Sequence, residues 1–463
     1  MFVECPAEII GFRVNLVKPA LPSCSRDERE SRHCLMAMYV PPAAFRAWAG
    51  AASAGKTLCM QNDVIILGGG LVGATLALAL DAHGLTSTVI DPADPAVMLA
   101  PGFDGRASAV ASASHRMLDA IGVGATLSGK GCAIRQIRVS DGLKPGALDF
   151  VPDADDGALG TMYENRLLRR TLFEAARAAK HVTLRMQTRA THVERRAAGV
   201  FATLDDGSVV RAPLLIAAEG RHSPTREAAG IRVARWSYDH AAIVGAFHHA
   251  QPHGDIAYEI FYPSGPFALL PLPDDEIGHR SAIVWSVAAA YGPGLVKLSD
   301  RAFLAEAEKR MGGFLGTLSA PSPRASYPLG FHHAGTITAE RLALVGDAGH
   351  GIHPIAGQGL NLGFRDVAVL AEVLVEARRL GLDLGDAQVM ARYQSWRGLD
   401  TLAVAAATDG LTRLFGVRGR TASAVRRFGI SAVDRLPPLK ARFMAEARGE
   451  SGQLPRLLQG AMI

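Results

Sequence analysis

The sharpest pattern along the chain lies between residues 63 and 91. Asp63 to Leu67 is a short apolar run without alternation, which predicts a strand buried on both faces. The glycine turn Gly68-Gly69-Gly70-Leu71-Val72-Gly73 follows. An apolar helix is then expected over Ala74 to His83, and a second strand over Thr86 to Ile90 that ends at Asp91. This is a βαβ unit. Beyond it, an amphipathic helix is expected over Tyr163 to Lys180, and strands alternate with turns from Val182 to Ala218. Closely spaced strand segments from Trp236 to Trp285 predict a sheet-rich insert. Leu342 to Val345 returns to a buried strand, a long helix follows over Leu360 to Arg379, and the rest to Ile463 reads as helical.

The pattern predicts an α/β fold. A Rossmann-like nucleotide-binding domain is expected over 61–130, 156–230 and 335–375, interrupted by a sheet-rich domain over 131–155 and 231–334. A helical C-terminal region is expected over 376–463. Residues 1–60 sustain no periodicity and include the solvated stretch CSRDERESRHC, so they read as an extension outside the fold, with the start expected at or near Met60.

Composition narrows the class. Apolar residues make up 49% and charged residues 20% of 463, which is globular rather than disordered. Arg outnumbers Lys 41 to 8, but Asp and Glu reduce the balance to +5, so no nucleic-acid partner is expected. No run of eighteen apolar residues predicts a membrane span, and no secretory signal is expected at Met1. Cys5, Cys24, Cys34 and Cys59 precede residue 60, only Cys132 lies beyond, and no CxxC pair exists. A reducing, cytoplasmic setting fits.

Two motifs carry candidate chemistry. In G-x-G-x-x-G, Gly68 makes the tight turn, Gly70 lets a pyrophosphate approach the backbone, and Gly73 lets helix and strand pack closely. The helix N-terminus then faces the phosphates with unpaired N–H groups. Asp91 is expected to accept ribose hydroxyls. The fingerprint alone does not separate FAD from NAD. The second motif is a strand ending in Gly346-Asp347, followed by His353-Pro-Ile-Ala-Gly-Gln-Gly-Leu-Asn-Leu-Gly-Phe-Arg-Asp366. Its glycines Gly357, Gly359 and Gly363, at a helix start, let backbone N–H groups approach a flat ring.

With these residues the chain resembles the class A flavoprotein monooxygenases. The segment His353 to Asp366 is similar to the signature of the ubiquinone-biosynthesis hydroxylases at each defining position. Asp104-x-Arg106, Asn165-Arg166 and Gly265 to Leu272 also look like that family, and the resemblance spans roughly residues 62 to 450. Where class A enzymes usually carry Asp-Gly, this chain has Glu219-Gly220, one methylene longer.

The resemblance implies FAD, with NADH or NADPH as a transient electron donor and O2 as co-substrate. It places Pro354, Gly357, Gln358 and Gly359 around the flavin ring, with no protein nucleophile or base assigned. Gly68, Gly70, Gly73, Asp91, Arg106, Arg166, Glu219, Gly220, Gly346, Asp347, Gly359 and Asn361 would bind the cofactor, Asp347 by holding the ribityl chain. The implied reaction hydroxylates a prenylated phenol in ubiquinone biosynthesis. A class A hydroxylase of a soluble aromatic acid and a non-catalytic flavin-binding scaffold of a quinone-biosynthesis complex are the alternatives. Phe247, Phe261, Phe267 and Leu269 to Leu272 either line a prenyl channel or form ordinary sheet core. No metal is expected, because His350 and His353 lack a third ligand. Residues 411–463 carry ten Arg and Lys against three carboxylates, interleaved with apolar side chains. They form either a helical cap or a surface for complex subunits or for the inner face of the cell membrane.

Overall fold

The computed structural model describes residues 59–100, 102–143, 146–351, 358–398 and 435–463. The expectations for residues 1–58, for His353, Pro354 and Gly357, and for the basic segment before Arg435 lie outside the described residues.

Among these residues, six strands form a sheet in the order Thr338–Ala339, Leu342–Leu344, Leu214–Ala217, Val64–Leu67, Ser87–Asp91, Val182–Met186. All are parallel except Thr338–Ala339. Val64, Ile65 and Ile66 have no accessible surface. A strand covered on both faces needs no polar alternation, which is why its sequence is a continuous apolar run. Helix Leu71–Asp81 covers one face, and the long helix Gln358–Arg379 packs against it. The first of these begins three residues before the expected Ala74, because extended Gly70 serves as its N-cap. Helix Asn165–Ala178 starts later than Tyr163, which belongs to a strand, Gly160–Glu164, paired antiparallel with Ala107–Ala111.

A second sheet of nine strands, counted among the described residues, runs from His350–Gly351 through Ala325–Ala334, Val233–His249, His279–Ala288, Gly265–Leu272 and Ile256–Tyr262 to Gln136–Asp141 and Leu148–Phe150, with Leu318–Ser319 pairing Val233–His249 off this path. One face packs Phe247, Phe267, Leu269 and Trp285 against Phe303, Ala307 and Met311 of helix Asp300–Met311. Phe247, Phe267 and Leu269 therefore fill the core beneath that helix and do not line a channel. On the opposite face, Ala246, Ala257, Leu270, Leu272 and Ala282 pack towards Phe103, Ala107 and Ala109.

Both ends of the described chain are fastened to the fold. Strand Cys59–Gln61 pairs in parallel with Val209–Ala212, so the described fold begins before the expected boundary. The C-terminal region has helical residues at 387–398, helix Pro437–Ala447 and a short 3-10 turn, Arg456–Gln459. Leu457 and Leu458 are buried, and the Ile463 amide donates to His83 Nε2 at 3.0 Å.

Candidate active site

The glycine turn follows the C-terminal edge of the parallel sheet, where open α/β folds bind ligands. Gly68 has φ +101°, and a Cβ there would lie 2.4 Å from the Ala218 carbonyl oxygen. A Cβ on Gly73 would lie 2.0 Å from the Gly68 oxygen. These two glycines are demanded by the turn's own packing. Gly70 differs: a Cβ there would meet nothing within 4 Å. The space above Gly70 fits a group that approaches the backbone, as a pyrophosphate does. Asp91 braces the turn, accepting from the Gly69 amide at 2.6 Å and from the Ala93 amide at 2.7 Å.

The Gly346-Asp347 loop meets the turn from the other side. Gly346 has φ +59°, and a Cβ there would stand 3.2 Å from Val72. Gly363, on the long helix, faces the same side chain, which a Cβ would approach to 2.7 Å. Val72 is thus the point where turn, loop and long helix converge. The loop is held by three buried side chains. Asp366 accepts from the Gly346 amide at 2.8 Å, His332 Nε2 donates to the Asp347 carbonyl at 2.7 Å, and Arg226 donates to the Ala348 carbonyl at 3.0 Å. Asp366 also takes His350 Nε2 and Arg397 Nε, each at 2.6 Å. Burial works against the Asp366 charge, but His350 and Arg397 hold its pKa below the usual carboxylate range. Burial brings His332 down to about 4, so it is neutral at pH 7.

Asp347 itself is the acceptor this frame presents. Its side chain is exposed, yet the surrounding protein strips enough hydration to raise its pKa, with His350 and Arg221 opposing the rise. Gly359, at the start of the long helix, also has open space around it, beside half-buried Gln358. Arg166 adds a buried Nε with no partner among the described residues. The open backbone, the enclosed acceptor and the unpaired guanidinium nitrogen fit a large anionic nucleotide.

Three expected cofactor ligands have their polar atoms engaged elsewhere. Asn361 is buried, accepting from the Ala111 amide at 2.9 Å and donating to the Ala109 carbonyl at 2.9 Å. Its side chain fastens the long helix to strand Ala107–Ala111. Glu219 accepts from the Ser223 hydroxyl at 2.6 Å and the Thr225 amide at 3.2 Å, capping the short helix Pro224–Ala228. Arg106 is exposed and pairs with Asp104 at 3.4 Å. Gly220 has φ +78°, a turn conformation that favours glycine.

Motif reading missed Val72, Arg226, His332 and Asp366 as supports of this frame. Only Asp366 had a visible signal, its place at the end of the glycine-rich segment. A separate trio, Cys132, His253 and Asp255, also comes together. The Cys132 thiol donates to Asp255 at 3.4 Å, and the Asp255 amide donates to His253 Nδ1 at 3.0 Å. Burial pushes the thiol up to about 12.

A βαβ glycine turn facing a Gly-Asp loop at the sheet's C-terminal edge defines the nucleotide cradle of a flavoprotein. The FAD binding domain family matches residues 61–397. The ubiquinone hydroxylase UbiL of Rhodospirillum rubrum is 46% identical over 401 residues, covering 86% of this chain and 92% of that one. The 3-demethoxyubiquinol 3-hydroxylase of Escherichia coli is 33% identical over 390 residues, covering 84% and 98%. In fold, the chain is similar to p-nitrophenol 4-monooxygenase PnpA of Pseudomonas putida, with a TM-score of 0.70 at 17% identity over 86% of this chain and 100% of that one. The chain belongs to the ubiquinone-biosynthesis FAD-dependent hydroxylases, within the class A flavoprotein monooxygenases.

Proposed function

We propose that the chain is an FAD-dependent, NAD(P)H- and O2-using aromatic ring hydroxylase acting on a prenylated phenol in ubiquinone biosynthesis. The observation that carries this reading is the convergence of the glycine turn, the Gly346-Asp347 loop and the start of the long helix on one rim, in a chain 46% identical to a ubiquinone hydroxylase. FAD, when bound, supplies the redox chemistry, taking electrons from the nicotinamide and activating O2.

The protein's own residues bind and orient. The open backbone at Gly70 receives the pyrophosphate beside the helix N-terminus. Asp91, braced by two amides, keeps lone pairs for the ribose. Asp347 accepts from the ribityl hydroxyls, and Arg166 offers its unpaired Nε. Gly359 and Gln358 border the ring, where the positive end of the long helix favours negative charge. Asn361, Glu219 and Gly346 shape the rim, Asn361 and Glu219 through the contacts described above. Arg106 and Gly220 stand at its edge.

The same reading sets the enzyme against a membrane surface, because a prenyl tail keeps its substrate in the bilayer. Among the described residues, no helix is long and apolar enough to cross a membrane. Helix Pro437–Ala447 offers a surface contact instead: Leu436, Leu439 and Phe443 are exposed, interleaved with Arg435, Lys440 and Arg442. Each basic residue near an anionic surface contributes about 1 kcal/mol, screened by salt. Sedimentation with anionic vesicles should show binding at low ionic strength and release by salt. Quinone profiling of a strain lacking the gene tests the reaction. Accumulation of an under-hydroxylated prenylated precursor is expected, and an unchanged quinone pool would argue against it.

A further inference from the structure

None of the contacts described above uses the Glu259 carboxyl. Glu259 lies on strand Ile256–Tyr262, where the register pairs it with Ala268 on one side and Val139 on the other. Ala268 pairs in turn with Val284, and Val284 with Val244. Paired residues share a face of the sheet, so Glu259 is the one ionisable group in an otherwise apolar row. That face is turned towards the nucleotide side. Ala257, one pleat back, packs in the cluster that includes Ala107 and Ala109, and Asn361 hydrogen-bonds the backbone of Ala109.

Among the described residues, the Glu259 carboxyl makes no hydrogen bond or ion pair. It is half-buried, yet lost hydration pushes its pKa up to about 8. Leaving it unpaired in an apolar wall is costly unless a ligand supplies the partner. Strongly perturbed groups of this kind mark functional sites.

Resting on the reading that the substrate is a phenol, we propose that Glu259 hydrogen-bonds the ring hydroxyl and accepts its proton as the ring is hydroxylated. In molecules whose Glu259 is ionised, a share that grows as pH rises towards 8, the phenol O–H bond breaks, the proton passes to a Glu259 carboxylate oxygen, and the electron pair stays on the phenolate oxygen, where it enriches the ring. The proton returns to solvent as product leaves. An ordinary glutamate and a phenol differ by about six units in proton affinity, and the surroundings of Glu259 narrow that gap.

The test uses FAD-loaded parent, Glu259→Gln and Glu259→Leu proteins with ortho-geranylphenol. Affinity is read from the flavin spectrum, and hydroxylated product is counted per nicotinamide oxidised. Glu259→Gln should bind the phenol within about threefold of the parent but yield roughly a hundredfold less product, the usual worth of a general base. Glu259→Leu should lose both affinity and product, and both variants should keep the parent's flavin content. Parent-like product from both variants would overturn the proposal and leave the functional reading standing. Loss of flavin from both would make Glu259 a structural residue and also overturn it. A parent that hydroxylates no prenylated phenol would overturn the functional reading, and the proposal with it.

Discussion

The Asp366 carboxylate accepts from the Gly346 amide at 2.8 Å, tying the first turns of the long helix to the loop that presents Asp347. The same carboxylate is buried against Arg397 and His350. One side chain thereby fixes the backbone on which the proposed ribityl contact depends, without touching the cofactor itself.

Replacing Asp366 should therefore destabilise the fold and empty the site together. Asp366→Ala leaves Arg397 buried without its carboxylate, a loss of about 3–5 kcal/mol. A fall in melting temperature, with loss of co-purifying flavin, is expected by differential scanning calorimetry and absorbance.

Acid should act on the same link. Because the native pKa of Asp366 lies below its unfolded value, its contribution is fully present above about pH 4 and is lost as pH falls through the native pKa. Asp366→Asn, which cannot carry the charge at any pH, should behave at neutral pH as the acidified parent does. Flavin fluorescence released into an ultrafiltrate across an acid titration measures both.

The glycines of the turn should separate by mechanism. Gly73→Ala drives a Cβ into the Gly68 oxygen and should cost about 3 kcal/mol of stability. Gly70→Val meets no protein atom at its Cβ, so its apoprotein should melt near the temperature of the parent apoprotein. It should nevertheless lose FAD, because the side chain occupies the pyrophosphate's space. Similar melting curves for the two variants would contradict this division.

Asp347→Ala tests the acceptor directly. The side chain is exposed, so apoprotein stability should hardly change. Losing a charged hydrogen-bond acceptor should cost about 1.5–3 kcal/mol, or roughly a ten- to hundredfold weaker FAD affinity. Isothermal titration of the apoprotein with FAD gives both values.

What the sequence made legible was local. The strand at Val64, the turn at Gly68 and the strand ending at Asp91 follow one another within thirty residues, and each has its own periodicity or backbone demand. The long helix was equally plain, because its apolar stripe is continuous. The partners of Asn361 and Asp366 were not legible: Ala111 lies 250 residues from the first, and Arg397 lies 31 residues from the second. No local pattern records such pairings. Whether Phe267 lines a channel or fills core was left open by the sequence, and only the packing of helix Asp300–Met311 against it decides. The engagement of Glu219 as a helix cap depends on Ser223 and Thr225 folding back towards it, which its spacing alone does not reveal.

If this flavoprotein hydroxylates a prenylated phenol, one atom of molecular oxygen enters the product. The direct measurement supplies FAD-loaded protein with NADH or NADPH, a prenylated phenol and oxygen-18 gas, and weighs the product by mass spectrometry. A hydroxylated product carrying one oxygen-18 atom is expected, formed only when nicotinamide, oxygen and phenol are all present. Nicotinamide oxidation without labelled product, at a rate unchanged by the phenol, would contradict it.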